Sequence, residues 1–316
     1  MNNIKGQSLL RILVSLLVFF NICTANNIFI PLPTEIEYDK AKVELGKKLF
    51  FDPILSKNND ISCASCHGNY GVDNEKFSIG HNQTEGFINT PTVFNLEYNL
   101  AFFWNGRSET LKEQMIDGPL FAKHEMANDK ITIENRLKQS PEYIQLFLKA
   151  YSLMPTFDNM LDAIVSFEET LITPNSKFDQ YLRNEYKLTQ KEENGMDLFL
   201  SYGCVSCHNG INLGGNSYQK FGTIIEYKDS SVKWADREDV TKNINDKNIF
   251  RVPSLRNIEK TAPYFHNGQI KTLQNAIYIM GYHNVGIVMA KNEVEDIEAF
   301  LKTLTGEIPK TFILDN

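Results

Sequence analysis

Cys63-Ala64-Ser65-Cys66-His67 and Cys204-Val205-Ser206-Cys207-His208 are two copies of one pentapeptide, and the rest of the chain is organised around them. C-x-x-C-H is the attachment signature of a c-type haem. Two thioethers tie the porphyrin edge to the chain, and the next residue offers its imidazole to the iron. The spacing lets both sulfurs reach vinyl groups on one porphyrin edge while the histidine turns beneath the metal. A bare C-x-x-C also occurs in redox disulfides and as half of a zinc site. Neither needs a histidine directly after the second cysteine, and here one follows both times. The expected cofactors are two covalently bound c-type haems, one on Cys63, Cys66 and His67, the other on Cys204, Cys207 and His208.

The resemblance between the two halves extends outward from these motifs. Gly46-Lys47-Lys48-Leu49-Phe50 before the first is echoed by Gly195-Met196-Asp197-Leu198-Phe199 before the second. Downstream, Pro91-Thr92-Val93-Phe94-Asn95-Leu96-Glu97 aligns with Pro253-Ser254-Leu255-Arg256-Asn257-Ile258-Glu259. Without a gap, Phe103-Trp104-Asn105-Gly106 then falls on Phe265-His266-Asn267-Gly268. Self-similarity of this kind predicts two related cytochrome c-like domains. One domain with two unrelated haem loops would not explain a long ungapped match. The repeat also fails in places. Trp104 faces His266, Met280 faces Gly118, and the first half alone carries Ser78-Ile79-Gly80-His81. That asymmetry points to one scaffold given two different sixth ligands.

Apolar periodicity predicts helices over 39–50, 108–115, 131–151 (interrupted near Pro141), 157–171, 190–202, 273–280 and 292–304. Strand signals are scarce, so the expected class is mainly α and loop-rich. Pro174 and Asn175 break the chain and set the predicted boundary between haem domains 26–173 and 174–305, with a tail at 306–316. Residues 1–25 read as a signal peptide. Lys5 and Arg11 precede an apolar run over 12–20, and Cys23-Thr24-Ala25 suits cleavage. That run is too short to span a bilayer. Of the five cysteines, Cys23 leaves with the signal and the other four belong to the haem motifs, so no structural disulfide is expected. Export fits the chemistry, because c-type haems are attached outside the bacterial cytoplasm, and it predicts a periplasmic protein. Removing Lys5 and Arg11 from the 32 basic side chains leaves 30 against 39 acidic ones. Such an acidic surface argues against nucleic acid.

The distal ligands are less determined by the residues alone. His81, between Gly80 and Gly86, reads equally as an iron ligand on a flexible loop or as a solvated histidine. Met280 reads equally as a ligand or as core packing. Ser78-Ile79-Gly80-His81, Asn89-Thr90-Pro91-Thr92-Val93, Phe103-Trp104-Asn105-Gly106-Arg107, Leu111-Lys112-Glu113-Gln114 and Thr261-Ala262-Pro263-Tyr264-Phe265-His266-Asn267-Gly268 together resemble the bacterial dihaem cytochrome c peroxidases. The resemblance runs from about Ala41 to Gly306.

The resemblance implies that the N-terminal haem is peroxidatic, with His81 as its distal ligand. It implies that the C-terminal haem accepts electrons, with Met280 as its distal ligand. Gln114 and Glu125 match the pocket residues that handle peroxide. Trp104 matches a tryptophan between the haems, where it would support electron transfer. Asn89, Thr261 and Pro263 match positions that bind calcium. The chain is one residue longer than the family pattern near Phe121-Ala122-Lys123-His124, which makes His124 a rival acid/base. The physical logic fits these roles. Splitting an O–O bond needs a base for the near oxygen's proton and an acid to return it to the far oxygen. A bis-His haem cannot bind peroxide, so His81 must leave, which predicts a redox-gated loop release. A His/Met haem sits at a higher potential.

The expected function is a periplasmic peroxidase that reduces hydrogen peroxide to water with electrons from a small cytochrome c or cupredoxin, working as the homodimer common in the family. Two rivals stand beside it. One is a dihaem electron carrier. The other is a ferryl-forming relative acting on a protein substrate, which would carry a Tyr ligand; here Tyr278 is out of register with Met280 by two residues.

Overall fold

The computed structural model describes residues 28–228 and 236–313. The predicted signal peptide lies outside the described residues, as do the last three residues of the tail. Among the described residues no helix is long and apolar enough to cross a membrane.

The chain is helix-rich with little strand. Eleven helical segments carry the fold: α1 (Lys40–Phe51), α2 (Cys63–Cys66), α3 (Leu111–Asp117), α4 (Lys130–Gln139), α5 (Pro141–Tyr151), α6 (Phe157–Glu168), α7 (Lys177–Leu182), α8 (Gln190–Ser201), α9 (Glu238–Thr241), α10 (Leu273–Met280) and α11 (Lys291–Lys302). Short side chains set many of the starts. Asp39 accepts from the N–H groups of Ala41 and Lys42, and Thr110 and Thr189 form capping boxes with Glu113 and Glu192. The predicted interruption near Pro141 is a full break. Ser140 caps α5, and Pro141 occupies its first turn, where a missing N–H costs nothing. The single sheet among the described residues pairs β1 (Tyr218–Lys220) antiparallel to β2 (Ile249–Arg251).

Two helix pairs organise the core. α1 crosses α6 so closely that a Cβ on Gly46 would lie 1.9 Å from the Ala163 carbonyl oxygen. α8 crosses α11 in the same way, with Gly195 against the carbonyl of Asp296 at the same 1.9 Å. Only glycine permits either approach. One buried cluster gathers Leu45, Leu49, Met115, Leu137, Phe147 and Ile164; another gathers Phe178, Met196, Phe199, Leu273, Ile297 and Phe300. The first and last described segments pack in different clusters. Phe29 is buried in the second cluster, while Phe312 packs against Phe50, Phe51 and Phe94 in the first half.

The backbone around 95–106 recurs around 257–268. Asn95 and Asn257 are both left-handed (φ 60 and 61°), as are Phe103 and Phe265 (φ 65 and 67°). The two asparagines meet at the junction. Each donates its side-chain amide to Thr173 Oγ1 at 2.9 Å, and Asn95 Oδ1 accepts from the Thr173 N–H at 2.9 Å. All three side chains are buried, so this network stands in low dielectric, where each bond is strong and each loss costly.

Candidate functional site

Each C-x-x-C-H folds as one helical turn. Ser62 and Ser65 form a capping box that starts α2, and the His67 N–H closes on the Cys63 carbonyl at 3.0 Å. In the second motif the His208 N–H closes on the Cys204 carbonyl, also at 3.0 Å. A helical turn puts residues three apart on one face, so both sulfurs point the same way while the histidine leaves the turn. Each ring is then oriented from behind. His67 Nδ1 lies 2.8 Å from the Gly71 carbonyl, and His208 Nδ1 lies 3.2 Å from the Leu213 carbonyl. A carbonyl facing Nδ1 fixes the proton there and leaves the lone pair on Nε2. Burial pushes His208 down to about 4 and lowers His67 too, so both imidazoles are neutral near pH 7. The four cysteines are unpaired with one another; burial pushes Cys204 up to about 11, and burial together with Asp73 does the same for Cys66. Neutral imidazoles, two half-buried free thiols on one turn and preset ring orientation fit a covalently attached haem at each motif.

The two sites differ above these histidines. At the second, His208 and Met280 line one apolar cavity, with Phe199, Phe250, Leu273 and Ile277 among its walls. Met280 ends α10, where Gly281 leaves room for Met289 to pack. Tyr278 does not line the cavity; it is exposed and stacks on Tyr282.

At the first site, the His81 N–H donates to the Glu125 carbonyl at 2.8 Å, which joins the loop carrying His81 to the loop carrying Glu125. His81 is buried rather than solvated. Gly80 is required for that joint, because a Cβ there would fall 1.9 Å from the His124 carbonyl oxygen. The Glu125 side chain is about a third exposed, 3.4 Å from His124 Nε2. Its charge acts on Cys63, Cys66, His67 and Arg107, so the carboxylate lies in the neighbourhood of the first motif. Gln114 is half-buried on α3 beside Met115 of the first core.

Trp104 borders the second cavity. Its indole sits edge-on to Phe250 and His266 and donates Nε1–H to the Asn89 carbonyl at 2.8 Å. Its neighbour Phe103 packs beneath the Arg107 guanidinium. Asn89, Thr261 and Pro263 border the same cavity. The Asn89 amide nitrogen is held by the carbonyls of Glu75 and Lys76 at 3.1 and 3.4 Å, which leaves Oδ1 as the oxygen it can offer. Among the described residues no cluster of three acidic, His or Cys side chains could hold a metal. A cation there would meet neutral oxygens, which suit calcium.

His266 and His283 lie among aromatic side chains. His266 is buried and stacks on Phe250, with ring centroids 4.3 Å apart. His283 is half-buried with Nδ1 2.9 Å from the Ile225 carbonyl. Sequence reasoning missed Asp60, read only as loop, which pairs with His81 through space. It also missed Glu168, a buried carboxyl near Cys63.

A family profile described as di-haem cytochrome c peroxidase matches residues 40–187. The chain is 46% identical over 292 residues to the cytochrome c551 peroxidase of Nitrosomonas europaea, covering 91% of this chain and 87% of that protein. It is 42% identical to the cytochrome c551 peroxidase of Pseudomonas aeruginosa, covering 90% and 86%. It is 30% identical to the methylamine utilization protein MauG of Methylorubrum extorquens, covering 88% and 82%. Among solved structures, a MauG-like protein associated with microbial copper homeostasis superposes with a TM-score of 0.79 at 28% identity, over 90% of this chain and 95% of that one.

Proposed function

This chain belongs to the di-haem cytochrome c peroxidase family and is an enzyme of it, and from that premise we propose that it reduces hydrogen peroxide to water with electrons from a small redox protein. The observation that carries the reading is the asymmetry of the two sites. His208 shares a cavity with a methionine, whereas the first motif faces a carboxylate joined to a histidine loop.

Haem at both motifs supplies a path for two electrons and an iron at which the O–O bond is split. The protein does the rest. His67 and His208 present Nε2 from below, because their Nδ1 atoms are engaged by carbonyls. With His208, Met280 would hold the haem at the second site, the point of electron arrival, where a thioether would favour a high potential. His81 closes the first site until reduction releases it. Glu125 takes the proton from the near peroxide oxygen and returns it to the far one, and His124 at 3.4 Å shares that proton. Gln114 orients the peroxide. Two protons and two electrons per peroxide give two waters. Trp104 supports electron transfer between the sites.

The same reading divides the chain into two related haem domains, 26–173 and 174–305. The recurrence of left-handed backbone at matching positions supports the internal repeat. Calcium bound by Asn89, Thr261 and Pro263 with waters would brace the loops between them. A homodimer in the periplasm, fed by a cytochrome c or a cupredoxin, completes the proposal. The exposed, stacked Tyr278 favours this over an enzyme with a Tyr-ligated haem acting on a protein substrate.

Peroxide turnover by the oxidised holoenzyme and by the one-electron-reduced holoenzyme, both with calcium, tests the reading. Activity only after reduction is expected. Equal activity in both states would keep the peroxidase and discard the gate. No activity in either would leave an electron carrier.

A further inference from the structure

Asp60 lies on the loop leading into the first haem motif, and His81 lies on the loop that follows it. The fold closes these loops on each other. Both Asp60 carboxylate oxygens reach His81 Nδ1, at 2.9 and 3.1 Å. The carboxylate is itself anchored. It accepts from the Ser56 hydroxyl at 3.1 Å and the Asn82 N–H at 3.2 Å, while the Asp60 N–H donates to Ser56 Oγ at 2.9 Å. The imidazole is almost fully buried, with 6% of the side chain exposed, and the carboxylate meets solvent on its outer side. The His81 main chain is held from the other direction by the Glu125 carbonyl.

These contacts act on the orientation of one ring. A neutral imidazole carries a single N–H, and a carboxylate facing Nδ1 keeps it there, so the lone pair is on Nε2. A carboxylate behind a metal-binding histidine both aims the ring and strengthens its donor nitrogen. Proximal His67 and His208 have only a backbone carbonyl in that place. His81 alone among these ring ligands has a full charge behind it.

We propose that Asp60 is the positioning residue for His81: it presents Nε2 to the first haem and sets how tightly that histidine closes the sixth position. The proposal rests on His81 being the distal ligand of that haem. It makes the attachment loop one half of the gate. The segment that carries Cys63 also holds the ligand, so a change at this haem reaches His81 through three residues of backbone.

Electron paramagnetic resonance and cyanide titration of the fully oxidised holoenzyme read how open the first haem is. In Asp60→Ala the high-spin fraction rises and cyanide binds about tenfold more tightly than in the parent. Asp60→Asn, whose amide oxygen still accepts from Nδ1, falls between them. His81→Ala sets the open limit, and an unaltered spectrum of the second haem reports that each variant is folded. Parental spin state and cyanide affinity in Asp60→Ala, beside an open His81→Ala, overturn the proposal and leave the ligand reading standing. A His81→Ala that stays low-spin overturns both.

Discussion

Asp179→Asn is the perturbation whose cost follows most directly from the structure. Asp179 Oδ2 and Arg256 Nη1 are 3.0 Å apart, and neither side chain is exposed. The carboxylate also accepts from the Leu32 N–H at 3.0 Å and the Ser176 hydroxyl at 2.7 Å. The guanidinium donates to the carbonyls of Ile211 at 2.6 Å and Ile30 at 3.1 Å. Asparagine keeps the shape and can keep the Leu32 bond, so the substitution isolates the charge. It turns an amide donor toward a guanidinium that burial already disfavours and that Asp179 supports. Removing one partner of a buried pair costs about 3–5 kcal/mol. That is a large part of the roughly 5–15 kcal/mol that holds a domain folded.

Urea unfolding followed by circular dichroism and by absorbance of the second haem measures it. Arg256→Met should cost a similar amount. The double variant should recover about 2 kcal/mol or more relative to the sum, because no uncompensated charge remains buried. A loss below about 1 kcal/mol for Asp179→Asn, or strict additivity in the cycle, would refute the reasoning. The same pair bears on the haem. Arg256 braces Ile211, and Leu213 two residues on supplies the carbonyl that orients His208. The second haem's potential should therefore shift in either single variant.

Glu168 is 6% exposed, its Oε2 has no hydrogen-bond partner, and burial with Glu169 nearby pushes it up to about 8 from 4.5. Between those values the folded chain holds a proton that the unfolded chain lacks, so stability falls as pH rises from about 4.5 to about 8 and then levels. Glu168→Gln should abolish that slope and add about 3 kcal/mol at pH 7, and parallel denaturation profiles for the two proteins would contradict it. Met280→His replaces a thioether with an imidazole in the second cavity, which should lower that haem's potential in a spectroelectrochemical titration. An unchanged potential would remove Met280 from the iron.

Much of this was legible because it is local. A five-residue motif dictates its own helical turn, and caps such as Asp39 and Ser140 lie next to the helices they start. Met280 was expected on a helix over 273–280, and α10 has those bounds. Through-space partners were not legible. Asp60 and His81 are separated by a haem motif and a glycine-rich loop, and nothing in either segment names the other. Helix α7 was missed because its six residues offer too little periodicity beside the Pro174 break. The packing of Phe29 on one core and Phe312 on the other is likewise a product of topology rather than of local pattern.

The junction limits how the proposed gate can work. Asn95, Thr173 and Asn257 join the halves through buried bonds of 2.9 Å, and both asparagines sit in left-handed backbone that few other residues accept. Breaking this network would leave several buried amide groups unpaired, at about 1–3 kcal/mol each. The 78–86 loop is held more lightly. Its bonds to the rest of the first half include those of His81 to Glu125 and Asp60, of Asn82 to Asp60 and Asn58, and of the Ser78 hydroxyl to Thr90, on backbone that is left-handed at Asn82 and Gln83. Release of His81 therefore costs least when this loop lifts from the Glu125 segment while the Thr173 junction stays closed. In the proposed mechanism the gate would then be a local unlatching at the first haem, with any motion of the halves a consequence of it.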